Sequence, residues 1–310
     1  MQQNNQKDSE TKEESVESTL SKEEISKLAD ELEIDKTTGI PLLEDESIES
    51  LKQHKIPTYL VDVYNWAYVK PKNIDLLDRP IVYHTILFAQ GWKLMRAYLE
   101  EFKPTDRVLQ VAHVYGNVVR LLAEKVAKNG SLDIIDVVPH QLKRAAIKLK
   151  GVDGEENIDM WLQDASEPYH KQYDVIGIYF LLHEVPDPLK KRIIENALKV
   201  IDETDGKIVF IDYYNPSFFN PVRQILRFIN YTLEPFANAM WNREIKDFIT
   251  KNRASKYNWK QTTYFGGVYQ KVVVTKKKEE AEVAKETPKA DDTTIVKPQE
   301  APVSKETTSS

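Results

Sequence analysis

The chain contains no cysteine, so disulfides, zinc–thiolate centres and thiol nucleophiles are excluded. No apolar run approaches the roughly 18 residues that a membrane-crossing helix needs, and no transmembrane segment is expected. The N-terminus lacks the apolar core of a secretory signal, and with no arginine in its first 50 residues it does not read as a mitochondrial presequence. A dense Lys/Arg patch is also missing, which argues against nucleic acid as a partner. What the ends do carry is acid. Residues 1–50 hold 15 acids and 5 bases, and residues 276–310 hold 8 acids and 7 bases. The net −6 of the 310-residue chain therefore leaves +5 on the segment between them. A mildly basic body with acidic flanks suits an anionic surface or cofactor.

Large apolar side chains are scarce before residue 20, so the region 1–47 is expected to be disordered, apart from a short marginal helix started by the capping-box-like Ser21-Lys-Glu-Glu24. From 276 to 310 the composition turns to Lys, Glu, Thr, Pro and Ala, a second expected disordered tail. The folded body is expected over 48–275. Strands are expected at 107–112, 132–137, 158–162, 175–180, 207–211 and 267–274, and helices at 79–101, 117–128, 140–149 and 189–201. This alternation predicts an α/β domain with a parallel sheet and helices on both faces. Ligands in such sheets bind beyond the carboxyl ends of the strands.

Five segments follow those ends. After the first strand comes His113-Val-Tyr-Gly116, where a nucleotide-binding α/β enzyme carries a glycine-rich loop. In enzymes that use S-adenosylmethionine (SAM) the stretch usually reads Val-Leu-Asp-Leu-Gly-x-Gly-x-Gly. Here the acid is Gln110, the first glycine is Ala112, the second is Val114, and only Gly116 remains. The second strand ends in Asp136-Val137, with an acid placed to accept both ribose hydroxyls. The third is followed by Asp164-Ala165, where a carboxylate can accept from an adenine amine. The fourth, which includes Tyr179, runs into Leu181-Leu-His-Glu184. Asp212-Tyr-Tyr-Asn-Pro216 follows the fifth. A lone strand-end Asp is most often a cap or turn residue; the ordered set is far more specific.

The stretch from Tyr173-Asp-Val-Ile through Leu-Leu-His-Glu-Val-Pro-Asp187 to Gly206-Lys-Ile-Val-Phe-Ile-Asp212 resembles the class I SAM-dependent methyltransferases, especially their quinone-modifying branch. A narrower likeness spans about 56–274. Tyr64-Asn-Trp-Ala-Tyr-Val-Lys-Pro71, the glycine-poor loop, Leu233-Glu-Pro-Phe236 and Tyr264-Phe-Gly-Gly-Val-Tyr-Gln-Lys-Val-Val-Val274 are similar to the RquA family of rhodoquinone biosynthesis. The resemblance implies a Rossmann-like, mostly parallel seven-stranded sheet. It implies conversion of ubiquinone to rhodoquinone, in which a ring methoxy group is replaced by an amino group from SAM, assisted by a divalent metal such as manganese. The product serves fumarate-reducing respiration without oxygen. The acidic tails depart from the compact bacterial form and suggest a eukaryotic member. The implied location is the surface of the inner mitochondrial membrane, or of the cytoplasmic membrane in a bacterium. A conventional quinone or lipid methyltransferase, and a SAM-fold subunit without activity, are the rival readings.

The candidate site residues each carry two readings. Gln110 either removes a carboxylate beside the methionine amine, favouring its neutral, nucleophilic form, or is drift at a tolerant strand end. Tyr115 either stacks on the quinone and moves protons or fills space left by the missing glycine, with His113 beside it. His183 and Glu184 either shuttle protons and bind metal or cap a loop. Tyr64, Trp66 and Tyr68 either lid a flat ring or belong to the core. Residues 215–246 mix aromatics with Arg223, Arg227, Arg243 and Lys246, which suits a segment lying on anionic lipid or a helical cap over the site.

Overall fold

The computed structural model describes residues 56–201 and 205–277. The expected disordered regions 1–47 and 276–310, with the marginal helix near residue 21, lie outside the described residues except for Lys276, which ends the last strand, and Lys277.

Among the described residues, four helices precede the sheet, α1 (Thr58–Asp62), α2 (Pro71–Leu77), α3 (Pro80–Ile86) and α4 (Gly91–Leu99), with a π-helical turn at Asn65–Val69. Pro71 and Pro80 each open a helix at its first turn, where the missing N–H costs nothing. The single helix expected over 79–101 is instead two. Phe88 and Ala89 adopt φ of +50° and +60° between them, a left-handed corner that ends α3 and lets Gln90 start α4.

The sheet is built from β1 (Arg107–Val111), β2 (Ser131–Asp136), β3 (Ile158–Leu162), β4 (Val175–Tyr179), β5 (Lys207–Tyr213), β6 (Tyr257–Tyr264) and β7 (Tyr269–Lys276), in the order 3-2-1-4-5-7-6. The first five strands are parallel; β7 runs antiparallel to β5 and pairs with β6 as a hairpin. The connecting helices are α5 (Val118–Val126), α6 (Pro139–Leu149), α7 (Asp187–Val200), α8 (Val222–Thr232), α9 (Asn238–Asn242) and α10 (Lys251–Ala254). The strand missing from the sequence reading is β6. It is an edge strand whose side chains are mostly exposed, so it carries no apolar alternation to announce it.

Two apolar layers sandwich the sheet. On one face Val108, Val209 and Ile211 meet α4 and α5 through Leu94, Tyr98, Leu122 and Val126. On the other, Leu109, Val111, Ile176, Ile178 and Phe210 meet α7 through Ile193 and Ala197. Strand residues alternate between the faces because the side-chain period of a strand is two. Strand order reverses between β1 and β4, and both strands end at the same rim.

Candidate functional site

A cavity of about 1340 Å³, its mouth included, opens at that rim. Its floor is the ends of β1, β2, β4 and β5. The turn at Asn65–Val69 and helix α3 wall it from the N-terminal side.

The nucleotide side is formed by the β1 and β2 ends. Ala112 sits where the first glycine is usual and keeps the left-handed backbone, at φ +67°, so the loop's path survives without its glycine. Gly116, at φ +73°, is irreplaceable for a second reason: a Cβ would lie 2.8 Å from the Tyr83 ring. Asp136 accepts from the His113 N–H at 2.8 Å through Oδ2 and from the Val138 N–H at 2.8 Å through Oδ1. Each oxygen keeps a second lone pair for a ligand hydroxyl. Burial pushes this carboxyl up to about 6, against the opposing pull of those backbone donors. Val137, Asp164 and Ala165 line the same end, and the Ser166 N–H caps Asp164 Oδ1 at 2.7 Å.

His113 points into the cavity wall, held at Nδ1 by Gln141 (2.9 Å) and at Nε2 by Lys148 (3.0 Å). Burial and the Lys148 charge hold it neutral, well below the usual histidine range. Tyr115 stacks on Tyr68 with ring centroids 5.7 Å apart and planes 18° from parallel. Its hydroxyl is already committed, donating to Ala67 O at 2.7 Å and accepting from Gln141 Nε2 at 3.0 Å. Tyr115 is thus a flat wall with an engaged hydroxyl, and the proton-moving role expected for it has no free group to perform it.

The opposite side gathers the titratable groups. His183 Nδ1 donates to Asp212 Oδ1 at 2.8 Å, and its Nε2 lies 3.6 Å from Glu184 Oε1. Asp212 is further fixed by the N–H groups of Leu182 (2.9 Å) and Tyr213 (2.7 Å). Burial disfavours the imidazolium, but the Asp212 carboxylate, its hydrogen bond and the nearby glutamates outweigh that and push His183 up to about 9. Burial also pushes Glu184 up to about 8, with His183 pulling the other way. The sequence pointed to neither Asp212 as the partner of His183 nor Glu234, which reaches the same cavity from the far end of α8. Long sequence separation hides both.

Three expectations are corrected. Gln110 does not line the cavity. It is fully buried beneath the sheet, accepting from Tyr98 Oη at 2.6 Å and donating to Val111 O and Ala112 O at 3.2 and 3.0 Å. Gly177 on β4 makes room for this pair, since a Cβ there would fall 1.6 Å from Tyr98 Oη. Gly116 shapes the loop from behind and gives its N–H to Asp78 rather than to the cavity. Tyr64 is core, packed against Tyr68 and Phe236; Trp66, Tyr68 and Tyr179 do line the cavity. Tyr179 hydrogen-bonds Tyr83 through the two hydroxyls at 2.7 Å. As for metal, no group of three or more His, Asp or Glu side chains among the described residues is disposed to hold an ion. The donor set does not fit the manganese site implied by the resemblance, and no step is assigned to a metal.

Asp136→Ala is expected to weaken SAM binding by roughly 1.5–3 kcal/mol, the loss of charge-assisted hydrogen bonds. In the wild type, SAM affinity should also fall as pH drops through about 6, where the carboxyl takes a proton and loses half its acceptor capacity. Calorimetric titration across that range checks both; equal affinity of variant and wild type removes Asp136 from the site.

Residues 83–263 match the model of the ubiE/COQ5 methyltransferase family. Protein-L-isoaspartate O-methyltransferase 2 of Archaeoglobus fulgidus is 28% identical over 139 residues, a match that covers 44% of this chain and 63% of the relative, less than two thirds of its length. Among solved structures, the mitomycin 7-O-methyltransferase MmcR superposes with a TM-score of 0.52 at 14% identity, covering 69% of this chain and 60% of that one. Human N-acetylserotonin methyltransferase in complex with SAM gives 0.45 at 14% identity, covering 74% and 62%. At such identities, likeness to MmcR speaks for the fold.

Proposed function

The chain belongs to the ubiE/COQ5 methyltransferase family and has the class I SAM-dependent methyltransferase fold, and from that premise we propose that it converts ubiquinone to rhodoquinone with SAM as the amino donor. The observation that carries the reading is one continuous cavity. It joins the nucleotide-side acids Asp136 and Asp164 to the His183–Glu184 pair, and its walls between them are the flat faces of Trp66, Tyr68, Tyr115 and Phe180. Aromatic walls suit a planar ring, and the two ends suit a cationic nucleoside cofactor and proton transfer. His113 and Tyr115, which replace small loop residues, narrow the slot on the cofactor's side.

In this reading a ring C–N bond would form as the ring C–O bond to the methoxy group breaks, and the donor's Cα–N bond would then break by transamination. The quinone ring takes the two electrons of the donor's Cα–H bond, and water hydrolyses the resulting imine to release an aminoquinol and the 2-oxo acid left from the donor. The leaving methoxide takes a proton and departs as methanol. His183, kept charged by Asp212, is suited to supply that proton. An amine attacks only when neutral, so a base must take the ammonium's proton. Glu184 is the group suited to it, because burial raises its proton affinity towards that of an amine. Methyl transfer to a quinol or lipid is the second reading, favoured by the family match itself. Mass analysis of quinones after expression in a ubiquinone-making host separates the two: exchange of methoxy for amino supports the first, and gain of a methyl group replaces it with the second.

A polyprenyl quinone reaches such a site from a membrane, and α8 provides the surface. Its inner face packs Leu226 and Ile229 into the core; its outer face shows Ile225, Phe228 and Tyr231 to solvent. The preceding loop exposes Phe218 and Phe219 at 80% and 90%. No helix among the described residues is long and apolar enough to cross a membrane. The basic residues expected to face lipid are mostly engaged already: Arg223 with Asn215, Arg243 with Asp187 and Lys246 with Glu244. Attachment therefore rests on apolar insertion. Changing Phe218, Phe219 and Phe228 to Ser is expected to release the protein from liposomes while SAM binding holds. High salt should release little, because insertion is not screened. Complete release by salt alone would replace insertion with simple charge attraction.

A further inference from the structure

Glu234 follows α8 directly. Its backbone N–H bonds Ile229 O at 3.1 Å and its carbonyl accepts from the Ala237 N–H at 3.0 Å, so its position is set by the helix end. Its side chain lines the cavity. Its Oε2 is buried and has no hydrogen-bond partner. A buried oxygen with nothing to bind costs stability unless a ligand completes it.

The charge around it is unusual. Among the described residues, Asp136, Asp164, Glu184 and Glu234 line the cavity and no Lys or Arg does. At the acceptor end, Glu184, Glu234 and Asp212 surround one histidine, with Tyr68 and Tyr213 as the neighbouring hydroxyls and Tyr64 behind. Two buried carboxylates and the half-buried Glu234 meet one imidazolium, and the buried Lys190, which acts on Asp212 while pairing with Asp187, offsets only part of the excess negative charge, which a dry site does not sustain. A carboxyl here must therefore hold a proton. Asp212 already accepts three hydrogen bonds, from His183 and from the Leu182 and Tyr213 N–H groups. Glu184 is pushed up to about 8 by burial but lies 3.6 Å from the imidazole Nε2 of His183, whose charge favours the ionised form, so its proton is exchangeable. Glu234 is the one whose buried Oε2 has no hydrogen-bond partner, and the Tyr64 hydroxyl that acts on it is itself unpaired. Burial raises its proton affinity, and the His183 charge and the Tyr64 hydroxyl only partly oppose this.

We propose that Glu234 is an acceptor-binding residue: a protonated carboxyl that donates a hydrogen bond to the carbonyl oxygen of an uncharged ring, at an end of the cavity whose acids exclude acceptors bearing a carboxylate or phosphate beside the ring. The inference rests on the quinone reading and refines it. A donor on the ring oxygen stabilises the negative charge that oxygen takes up when a nucleophile adds to the ring. It also distinguishes Glu234 from Glu184: one keeps its proton while the other receives one.

The test uses the full chain. Infrared spectra at pH 7 should show the C=O stretches of protonated carboxyls, one of which is lost in E234Q while that of Glu184 remains. Binding of a short-chain ubiquinone, followed through Trp66 fluorescence, should hold within about threefold in E234Q, whose amide still donates. It should weaken by about tenfold or more in E234A, the worth of one hydrogen bond. Melting temperatures show that both variants fold. A carboxyl region unchanged by E234Q overturns the proposal. So does E234A binding the quinone as well as wild type, or E234Q failing as badly as E234A, since the acid would then act as an acceptor. A wild-type protein that binds no quinone is a different failure: it overturns the quinone reading and, with it, the occupant assigned to Glu234.

Discussion

Asp78→Ala should cost about 3–5 kcal/mol of stability, the largest loss expected from any single truncation near the site. The Asp78 side chain is completely buried at the end of α2. It accepts from Arg144 Nη2 at 2.9 Å, from Lys148 Nζ and from the Gly116 N–H at 3.1 Å. One carboxylate thus ties the N-terminal helices to the nucleotide loop and to α6. Its removal leaves Lys148, itself mostly buried, without a counter-charge and leaves the loop N–H without an acceptor. Lys148 is already strained in this respect, since burial lowers it to about 8 while Asp78 opposes the shift. For a domain of this size each kcal/mol moves the melting temperature by about 2–4 °C, so a fall of roughly 6–20 °C is expected. Adding Lys148→Met, which removes the orphaned charge, should recover part of it. A single variant melting within about 2 °C of wild type would mean the network is incidental. The same contact fixes Gly116 next to Tyr115, whose hydroxyl donates to Ala67 in the turn at Asn65–Val69 over the cavity, so a loosened variant should also bind SAM less tightly.

What the sequence exposed and what it hid divide along one line. Local patterns carried the sheet: the apolar runs of β1, β2, β4 and β5 are buried on both faces and read as continuous stretches. Asp136 and His183 stood out because strand ends in such a sheet converge on one rim. The hairpin strand β6 did not, being exposed at the edge. The corner at Phe88–Ala89 uses residues that rarely adopt positive φ, so no glycine marked it. The remaining gaps are pairings across the chain. Asp78 meets Arg144 and Lys148 some 70 residues away, and His183 meets Asp212 across 29. Such partners are set by topology, and no spacing rule announces them. Gln110 shows the reverse hazard. Its place in the motif suggested a ligand contact, but side chains alternate along a strand, and position 110 faces α4 and Tyr98 beneath the sheet.

That burial makes Gln110→Glu an informative variant. Glutamate keeps the size of glutamine, so packing against Tyr98 and Gly177 is unchanged. One oxygen still accepts from Tyr98 Oη. The other replaces an amide donor and faces Val111 O and Ala112 O, the acceptors now at 3.2 and 3.0 Å from Nε2. Ionised, it would hold a buried charge against two carbonyl dipoles, a loss of about 3–5 kcal/mol. Protonated, it can give its hydrogen to one of the carbonyls and recover most of that. The folded-state pKa of this new carboxyl must therefore lie above its unfolded value of about 4.3. The sign follows. The variant is closest to wild type below the unfolded pKa, and its deficit grows as pH rises towards the folded pKa, by about 1.4 kcal/mol for each unit between the two. Denaturant unfolding of both proteins from pH 5 to about 8 measures the difference directly, and titrations common to both cancel. SAM affinity of the folded variant should match wild type, since the side chain does not reach the cavity. A variant that is as stable as wild type and binds SAM more tightly would instead place position 110 against the cofactor's ammonium, and the buried bond to Tyr98 would have to be abandoned.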